Sequence, residues 1–171
     1  MTARRTTRPH HSPYRFPMRF RLLTTLVAAA LAAGCGDSSL TAVPIEQTTF
    51  DASLGVDLAH STKLPSGLYY RDIAVGTGTT LASGQTVGMH YVGNFVNGQQ
   101  FDSNLAPTTP FSFKLGSGQV IKGWDLGLVG MKVGGRRQLI IPPELGYGPN
   151  DYGPIPGNSV LVFTVDAVSA Q

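Results

Sequence analysis

The sequence predicts an α+β fold, in which a curved antiparallel β-sheet of five to six strands wraps around one short α-helix. Beyond Gly67 the chain consists of short runs rich in β-branched and aromatic residues, and glycine-bearing turns separate these runs. One segment of this region has the spacing of an amphipathic helix instead. Because a helix of that length is not stable alone, we expect it to pack against the sheet.

Six runs have the composition of strands. The "VNGQ" sequence between the second and third runs predicts a hairpin, because Asn-Gly supplies the positive φ that a tight turn needs. In the last run, alternation places Phe163 on the better core face. The six runs are "LYYRDIAV" (68–75), "TVGMHYVGNF" (86–95), "QQFDS" (99–103), "FSFKL" (111–115), "RRQLIIP" (136–142) and "SVLVFTVDAV" (159–168).

The predicted helix surrounds the only tryptophan of the chain. Val120, Trp124 and Leu128 recur at i, i+4 and i+8, so they lie on one helical face. This spacing predicts a helix over residues 120–129, and Gly130 is a stop signal directly after it.

The N-terminal residues 1–34 resemble the signal peptide of a bacterial lipoprotein. Six arginines precede the first acidic residue, and they lead into the apolar stretch "LLTTLVAAALAAGC", which is too short to span a membrane. The resemblance implies that Cys35 is acylated and becomes the mature N-terminus. Residues 1–17 are long and polar for such a signal, so Met18 is an alternative start. An ordinary signal peptide with an incidental cysteine is the other interpretation.

A lipid-anchored, flexible tether is predicted over residues 35–66, which are rich in Ser, Thr and Asp. Within it, Phe50, Leu54 and Leu58 have the spacing of a short docking helix, but Gly55 interrupts that helix. Acylation at Cys35 would hold the protein to a membrane without spanning it, on the extracytoplasmic side. In a Gram-negative cell, the glycine after the cysteine favours the outer membrane, facing the periplasm.

Charge and motif content exclude several function classes. Beyond Cys35 seven basic residues stand against ten acidic ones, a net charge of about −3, so the sequence gives no support to nucleic-acid binding. No G-x-S-x-G nucleophile motif is present, and His60 and His90 are the only histidines after the signal, so we expect no metal site. A lone cysteine also excludes an intramolecular disulfide.

Four blocks in order, however, resemble FKBP-type peptidyl-prolyl cis-trans isomerases. They are "GTG", "GQTVGMHYVGNFVNGQQFDSN", "PFSFKLGSGQVIKGWDLGLVGMKVGGRRQLIIPPELGYG" and "IPGNSVLVFTVDAV", and they cover residues 68–168. The resemblance implies an isomerase domain over residues 67–171. It implies rotation about X-Pro bonds of unfolded or partly folded polypeptides, no cofactor and a macrolide as a further ligand.

The resemblance also implies a proline pocket. Trp124 would form its floor, while the Ile121 N–H and the Tyr147 hydroxyl would each bind a substrate carbonyl. By spacing alone Trp124 is a core residue, and its neighbouring glycines are expected to leave room above the indole for a proline ring. The residues implied in catalysis are Tyr91, Asp102, Ile121 and Tyr147, and those implied in substrate binding are Phe101, Phe111, Val120, Trp124, Ile155 and Phe163.

Three departures from the family pattern bear on substrate preference and macrolide affinity more than on catalysis. Many members carry an arginine after "FDS" to pair with the aspartate, whereas this chain reads "NLAPTTP", so Asp102 would need Tyr91 or a backbone donor. Gln119 replaces a frequent glutamate, and Tyr152 lies in a shortened loop. These departures leave open an alternative function: a proline-binding module or holding chaperone with little turnover.

Overall fold

The computed structural model describes residues 43–171. The predicted signal peptide and Cys35 lie outside the described residues. Seven strands are present in the described part, and no helix there is long and apolar enough to cross a membrane. The strands are β1 (Thr62–Lys63), β2 (Tyr69–Ala74), β3 (Thr86–Phe95), β4 (Gln100–Asn104), β5 (Phe111–Lys114), β6 (Arg136–Ile141) and β7 (Leu161–Ala170).

The seven strands form one antiparallel sheet: six follow the order β1-β2-β6-β7-β3-β4, and β5 pairs with β3 outside this order. The long strand β3 has β7 on one side, while β4 pairs with its second half and β5 with its first half. The turn at Asn97-Gly98 joins β3 to β4, and Gly98 has a φ of 84° there, as the predicted hairpin requires. The predicted antiparallel α+β fold is therefore confirmed, with the two-residue β1 as an additional strand.

The helix α1 (Lys122–Gly127) is shorter than the predicted helix over residues 120–129. It starts late because Ile121 is extended, with φ −58° and ψ 146°. It ends at Gly127, with Leu128 as its C-cap, shortly before the positive φ of Gly130. Trp124 and Leu128 nevertheless face the sheet, as their spacing predicts.

Gly123 and Gly127 let α1 approach the sheet closely, which corrects, for these two residues, the expectation that the glycines near Trp124 leave room above the indole. Gly118 instead faces open space, where an added Cβ would meet nothing within 4 Å. A Cβ on Gly123 would lie 2.6 Å from Ile141 Cγ2, and one on Gly127 would lie 2.8 Å from a methyl group of Leu139. Both glycines therefore lie on the side of α1 that contacts β6. Only a hydrogen atom fits between the helix and the strand at these two positions.

The face of the sheet that packs against α1 is called the helix face. Alternate residues of each strand point to it, so that Leu139 of β6 lies beside Phe163 of β7. Arg137 also lies on this side of the sheet, 4% exposed, where its Nη1 donates to the carbonyls of Gly127 and Val129 at the end of α1. Its Nε and Nη2 bind the carboxylate of Asp72 on β2. This arginine thus ties the helix end to the sheet.

The opposite side, called the outer face, buries the residues that alternate with those of the helix face. Ile140 and Val162 are each 1% exposed, although they lie beside Leu139 and Phe163 in the sequence. A segment over residues 43–61, called the outer cover, packs on them. The residues of the outer cover that pack into one apolar cluster with Ile140 and Val162 are Ile45, Phe50, Leu54, Val56 and Leu58.

The outer cover corrects the described part of the predicted tether. Instead of a flexible linker, residues 43–61 form three 3-10 turns, Ile45–Gln47, Ala52–Leu54 and Leu58–His60. The predicted docking helix is absent because Gly55, with φ 57°, ends the second turn, but Phe50, Leu54 and Leu58 do dock. A chain segment can bury apolar side chains on a sheet without regular helical periodicity.

Polar contacts fix the outer cover in position. Gln138, 2% exposed, donates from Nε2 to the Leu54 carbonyl at 2.8 Å. Glu46 accepts hydrogen bonds from Lys63 Nζ and Tyr69 Oη. These donors lower the pKa of Glu46 to about 2, chiefly the Lys63 hydrogen bond and then that of Tyr69. Glu46 therefore stays ionised and paired over the ordinary pH range.

Candidate active site

A cavity of about 510 Å³ opens on the helix face of the sheet. The sequence prediction placed ten residues in such a site, and eight of them line this cavity. Its walls come from β3, β4, β5, β7, the start of α1 and the loop after β6. The eight predicted residues that line it are Tyr91, Asp102, Phe111, Val120, Ile121, Trp124, Tyr147 and Phe163.

Trp124 forms a rigid apolar floor. Its side chain is 4% exposed, and three aromatic rings approach its indole edge-on: Tyr91 at 5.1 Å, Phe163 at 5.4 Å and Phe111 at 6.2 Å between ring centroids. Edge-to-face contacts of this kind favour one ring orientation. The floor is thus preformed, and a small apolar ring could lie on it without rearrangement of the core.

Tyr91 and Asp102 form a hydrogen-bonded pair at the mouth. Tyr91 Oη donates to Asp102 Oδ2 at 2.7 Å, and the backbone N–H of Ser103 donates to Oδ1 at 2.8 Å. The expectation that Tyr91 or a backbone donor replaces the missing arginine is confirmed. Burial, and then the neighbouring Asp102 carboxylate, raise the pKa of Tyr91 well above its usual range. Tyr91 is therefore a neutral hydroxyl donor at any working pH.

Tyr147 presents a hydroxyl for which no hydrogen-bond partner exists among residues 43–171. Burial raises the pKa of Tyr147, and nearby Tyr152 and Asp102 raise it further. The Tyr147 ring stacks on that of Tyr152, with centroids 4.7 Å apart and planes inclined by 19°. A positioned, neutral hydroxyl with no protein acceptor can donate to a carbonyl of a ligand.

A second donor is the backbone N–H of Ile121. The extended conformation of Ile121 turns the chain into α1, and its carbonyl accepts from the N–H of Trp124 at 2.9 Å. No acceptor for the Ile121 N–H exists in the part of the chain that the structure describes. Such an orphan donor is normal at the first residues of a helix, and a ligand carbonyl can satisfy it.

Two predicted residues do not line the cavity. Phe101 packs behind the wall, with its ring centroid 5.5 Å from that of Phe163 and 5.0 Å from that of Phe95. Ile155 is 4% exposed and exchanges two backbone hydrogen bonds with Tyr152, at 2.8 and 2.9 Å. Both residues contact and support residues that line the cavity.

Three lining residues were not among the ten predicted site residues: Gly118, Gln119 and Tyr152. Tyr152 is 63% exposed, and its position five residues after Tyr147 has no periodicity that would reveal the stack. Gln119 Oε1 accepts the Lys114 N–H at 2.8 Å, so this amide holds the turn after β5. In the sequence, the signal that pointed to Gln119 is that it stands where family members frequently have a glutamate.

The chemistry open to this site is binding and orientation. The cavity offers an aromatic floor, one hydrogen-bonded carboxylate, and donors without described acceptors at the Tyr147 hydroxyl, the Ile121 N–H and the Trp124 indole Nε1. Within residues 43–171 no group of three or more His, Cys, Asp or Glu side chains could hold a metal ion. An amide rotation needs positioning and a change of polarity around the bond, and it breaks no bond between heavy atoms.

Comparison with known proteins identifies what the chain is similar to. A family model described as FKBP-type peptidyl-prolyl cis-trans isomerase matches residues 78–168. FK506-binding protein 4 of Rhizopus delemar is 53% identical over 111 residues, which are 64% of this chain and 29% of that protein. FK506-binding protein 2 of Dictyostelium discoideum is 50% identical over 109 residues, 63% of this chain and 80% of that protein.

Two solved structures are also similar to this chain. The crystal structure of AtFKBP13 superposes with a TM-score of 0.61 at 40% identity, covering 65% of this chain and 98% of AtFKBP13. That of FkpA from Escherichia coli superposes with a TM-score of 0.60 at 37% identity, covering 66% of this chain and 52% of FkpA. The chain spans less than a third of the length of the first curated relatives that it matches.

Proposed function

The chain belongs to the family of FKBP-type peptidyl-prolyl cis-trans isomerases, and from this premise we propose that it isomerises X-Pro bonds of extracytoplasmic proteins and thereby assists their folding. The observation that carries this proposal is the preformed aromatic floor at Trp124, with the unsatisfied donors of Ile121 and Tyr147 at its rim. Substrates are proline-containing segments of unfolded or partly folded chains. A macrolide is the proposed competing ligand.

The proline ring of the substrate lies on Trp124 in this mechanism. The planar amide is polar and well solvated, whereas the twisted transition state has lost conjugation and part of the charge on its carbonyl. Transfer of the bond into a cavity walled by Tyr91, Phe163 and Trp124 destabilises the planar form more than the twisted form. The aromatic cavity therefore lowers the barrier to rotation.

Two donors hold the backbone on either side of the bond that rotates. The Ile121 N–H binds one substrate carbonyl and the Tyr147 hydroxyl binds another, so that rotation is confined to one side of the amide. The intrinsic barrier is roughly 18 to 20 kcal/mol. A reduction by about 5 to 7 kcal/mol accelerates isomerisation by about 10⁴ to 10⁵.

We also propose that the protein is a lipoprotein anchored through Cys35 after removal of residues 1–34. The basic cluster, the apolar stretch and the small residues before Cys35 support this assignment. In a Gram-negative cell, the anchor would lie in the outer membrane and the domain would face the periplasm. Mass spectrometry of the mature N-terminus tests the anchor: a diacylated or triacylated Cys35 is expected, and an unmodified Cys35 thiol contradicts it.

The alternative of a binding module with little turnover was motivated by the missing arginine partner of Asp102. Because Tyr91 and Ser103 bind that carboxylate, the carboxylate is held without the arginine, and no described contact favours the alternative. A Leu-Pro peptide distinguishes the two functions by exchange NMR. Accelerated cis-trans exchange supports the isomerase, whereas binding of the peptide without acceleration contradicts it.

A further inference from the structure

Among residues 43–171, Asp102 is the one acidic or basic residue that lines the cavity, so no basic side chain of this part lies beside it in the wall. The lining residues include no lysine, arginine or histidine. Within the described residues, the arginines form ion pairs elsewhere: Arg71 with Asp57, Arg136 with Asp166 and Arg137 with Asp72. The hydrogen bonds to Asp102 come from neutral donors, the Tyr91 hydroxyl and the Ser103 N–H. The carboxylate at the mouth of the cavity therefore has no basic partner among the described residues.

A second observation points to the same kind of ligand. The stacked rings of Tyr147 and Tyr152 line the same cavity, and Tyr152 is 63% exposed, so its outer ring face is open to solvent. The Asp102 charge is close enough to contribute to the raised pKa of Tyr147. A carboxylate and an exposed aromatic face at one rim form the usual environment of a guanidinium or ammonium group.

We propose that this rim selects substrates in which an arginine or lysine is adjacent to the proline. The cation of the substrate takes the position that an arginine of the protein itself would otherwise fill beside Asp102, and its side chain lies along the Tyr152 ring. Asp102 does not need to move far to bind this cation, because it is exposed and retains free acceptor positions beside its two hydrogen bonds. This inference rests on the proposed isomerase function and specifies its substrate class.

The expected preference is modest, since the pair is exposed to water. An exposed ion pair together with a surface cation–π contact corresponds to roughly a three- to tenfold difference in kcat/KM. Arginine is favoured over lysine, because its planar group can bind the carboxylate with two hydrogen bonds and stack on the ring as well. The preference falls as salt is added, because screening weakens an exposed pair.

The test compares matched peptides that differ only in charge. Ala-Arg-Pro-Phe and Ala-citrulline-Pro-Phe have side chains of nearly the same size, and a second pair places arginine or citrulline after the proline. Exchange NMR gives kcat/KM for each peptide at low and at high salt. We expect a three- to tenfold preference for arginine at low salt in at least one position, and less than a twofold preference in 1 M NaCl.

Two variants assign the effect to this rim. Asp102→Asn should reduce the ratio of arginine to citrulline to about one, whatever its effect on the absolute rates. The matched control is Asp166→Asn, which removes the same charge from the outer face, where Asp166 pairs with Arg136, and should leave the ratio unchanged. Tyr152→Leu should reduce the ratio about twofold, because the cation–π contact is lost while Asp102 remains.

Binding is measured in the same samples, so that the inference can be judged apart from turnover. Trp124 is the only tryptophan, and its fluorescence reports occupancy of the floor by a proline peptide. Equal affinities and equal kcat/KM for the arginine and citrulline peptides at low salt would overturn the proposed selectivity. If no peptide is isomerised but the arginine peptide binds more tightly, the isomerase proposal fails and the charge selectivity stands.

Discussion

The two faces of this sheet are built from the same strands but differ in composition and in what covers them. In β6 and β7, Leu139 and Phe163 point to the helix face, whereas their neighbours Ile140 and Val162 point to the outer face. The helix face gathers aromatic rings around Trp124 and keeps a cavity of about 510 Å³ beside them. The aliphatic residues of the outer face are packed under residues 43–61.

This difference separates stability from function. Both faces bury apolar side chains, so both stabilise the domain. Only the helix face combines a preformed floor with donors that no described residue satisfies. A substitution on the outer face should therefore change the free energy of unfolding alone, and one on the helix face should change turnover as well.

The largest contrast is expected between adjacent residues of β7. Phe163→Ala removes an aromatic wall of the cavity and should lower the free energy of unfolding by about 3 to 5 kcal/mol, with a loss of kcat/KM of at least about 100-fold. Val162→Ala should cost about 2 kcal/mol and leave kcat/KM per folded molecule unchanged. Urea unfolding measures the free energy of unfolding of each variant, and exchange NMR measures its kcat/KM. Equal losses of kcat/KM in the two variants would contradict the proposed difference between the two faces.

Close packing of α1 is tested by Gly123→Ala. The added Cβ would lie within 3.0 Å of three side-chain atoms of Ile141, so rotation of one bond cannot relieve the clash. We expect a loss of about 2 kcal/mol in the free energy of unfolding, despite the better helix propensity of alanine. The control is Lys122→Ala on the exposed side of α1. A neutral or stabilising Gly123→Ala would show that the helix can move away from β6.

Tyr147→Phe should separate function from stability within the helix face. Its hydroxyl has no partner in residues 43–171, so its removal should change the free energy of unfolding by less than about 0.5 kcal/mol. Loss of one substrate hydrogen bond in the transition state should reduce kcat/KM about tenfold. Tyr91→Phe provides the comparison, because it breaks the bond to Asp102 and should cost about 1 kcal/mol of stability. A fully active Tyr147→Phe would remove that hydroxyl from the mechanism.

The smallest effect concerns the outer cover and depends on pH. The pKa of Glu46 is lowered to about 2 in the folded protein, below its usual value of 4.5. Its contribution to stability is therefore complete above about pH 4.5 and is lost as the pH falls through about 2. We expect wild type to lose its stability advantage over Glu46→Gln across that window, with equal turnover at pH 7. Thermal unfolding at several pH values measures this, and a constant difference between the two proteins would contradict it.

The sequence predicts the helix face far better than the outer face. Strand alternation and the glycine-rich stretch around Trp124 are local patterns, and their order along the chain carried the family resemblance and eight lining residues. Ile45 of the outer cover lies about a hundred residues from Ile140 and Val162 and has no periodic neighbours, so its burial is not visible in the sequence. Long-range contacts of irregular segments leave no local signature.

Near the site, some features likewise have no signature in the local sequence. The spacing of Val120, Trp124 and Leu128 correctly gave the buried side of α1, but it could not show that Ile121 is extended and leaves its N–H free of described acceptors. Tyr152 was missed because its role depends on a loop that brings it onto Tyr147. Phe101 was placed in the cavity by resemblance, yet it packs behind Phe163.

The central claim is that the cavity over Trp124 accelerates rotation about an X-Pro bond. Its most direct test is exchange NMR on a Leu-Pro peptide with catalytic amounts of the purified protein, compared with Phe163→Ala and Val162→Ala at equal folded concentration. We expect fast exchange with wild type and with Val162→Ala, and exchange reduced at least about 100-fold with Phe163→Ala. Exchange at the uncatalysed rate with the wild-type protein would contradict it.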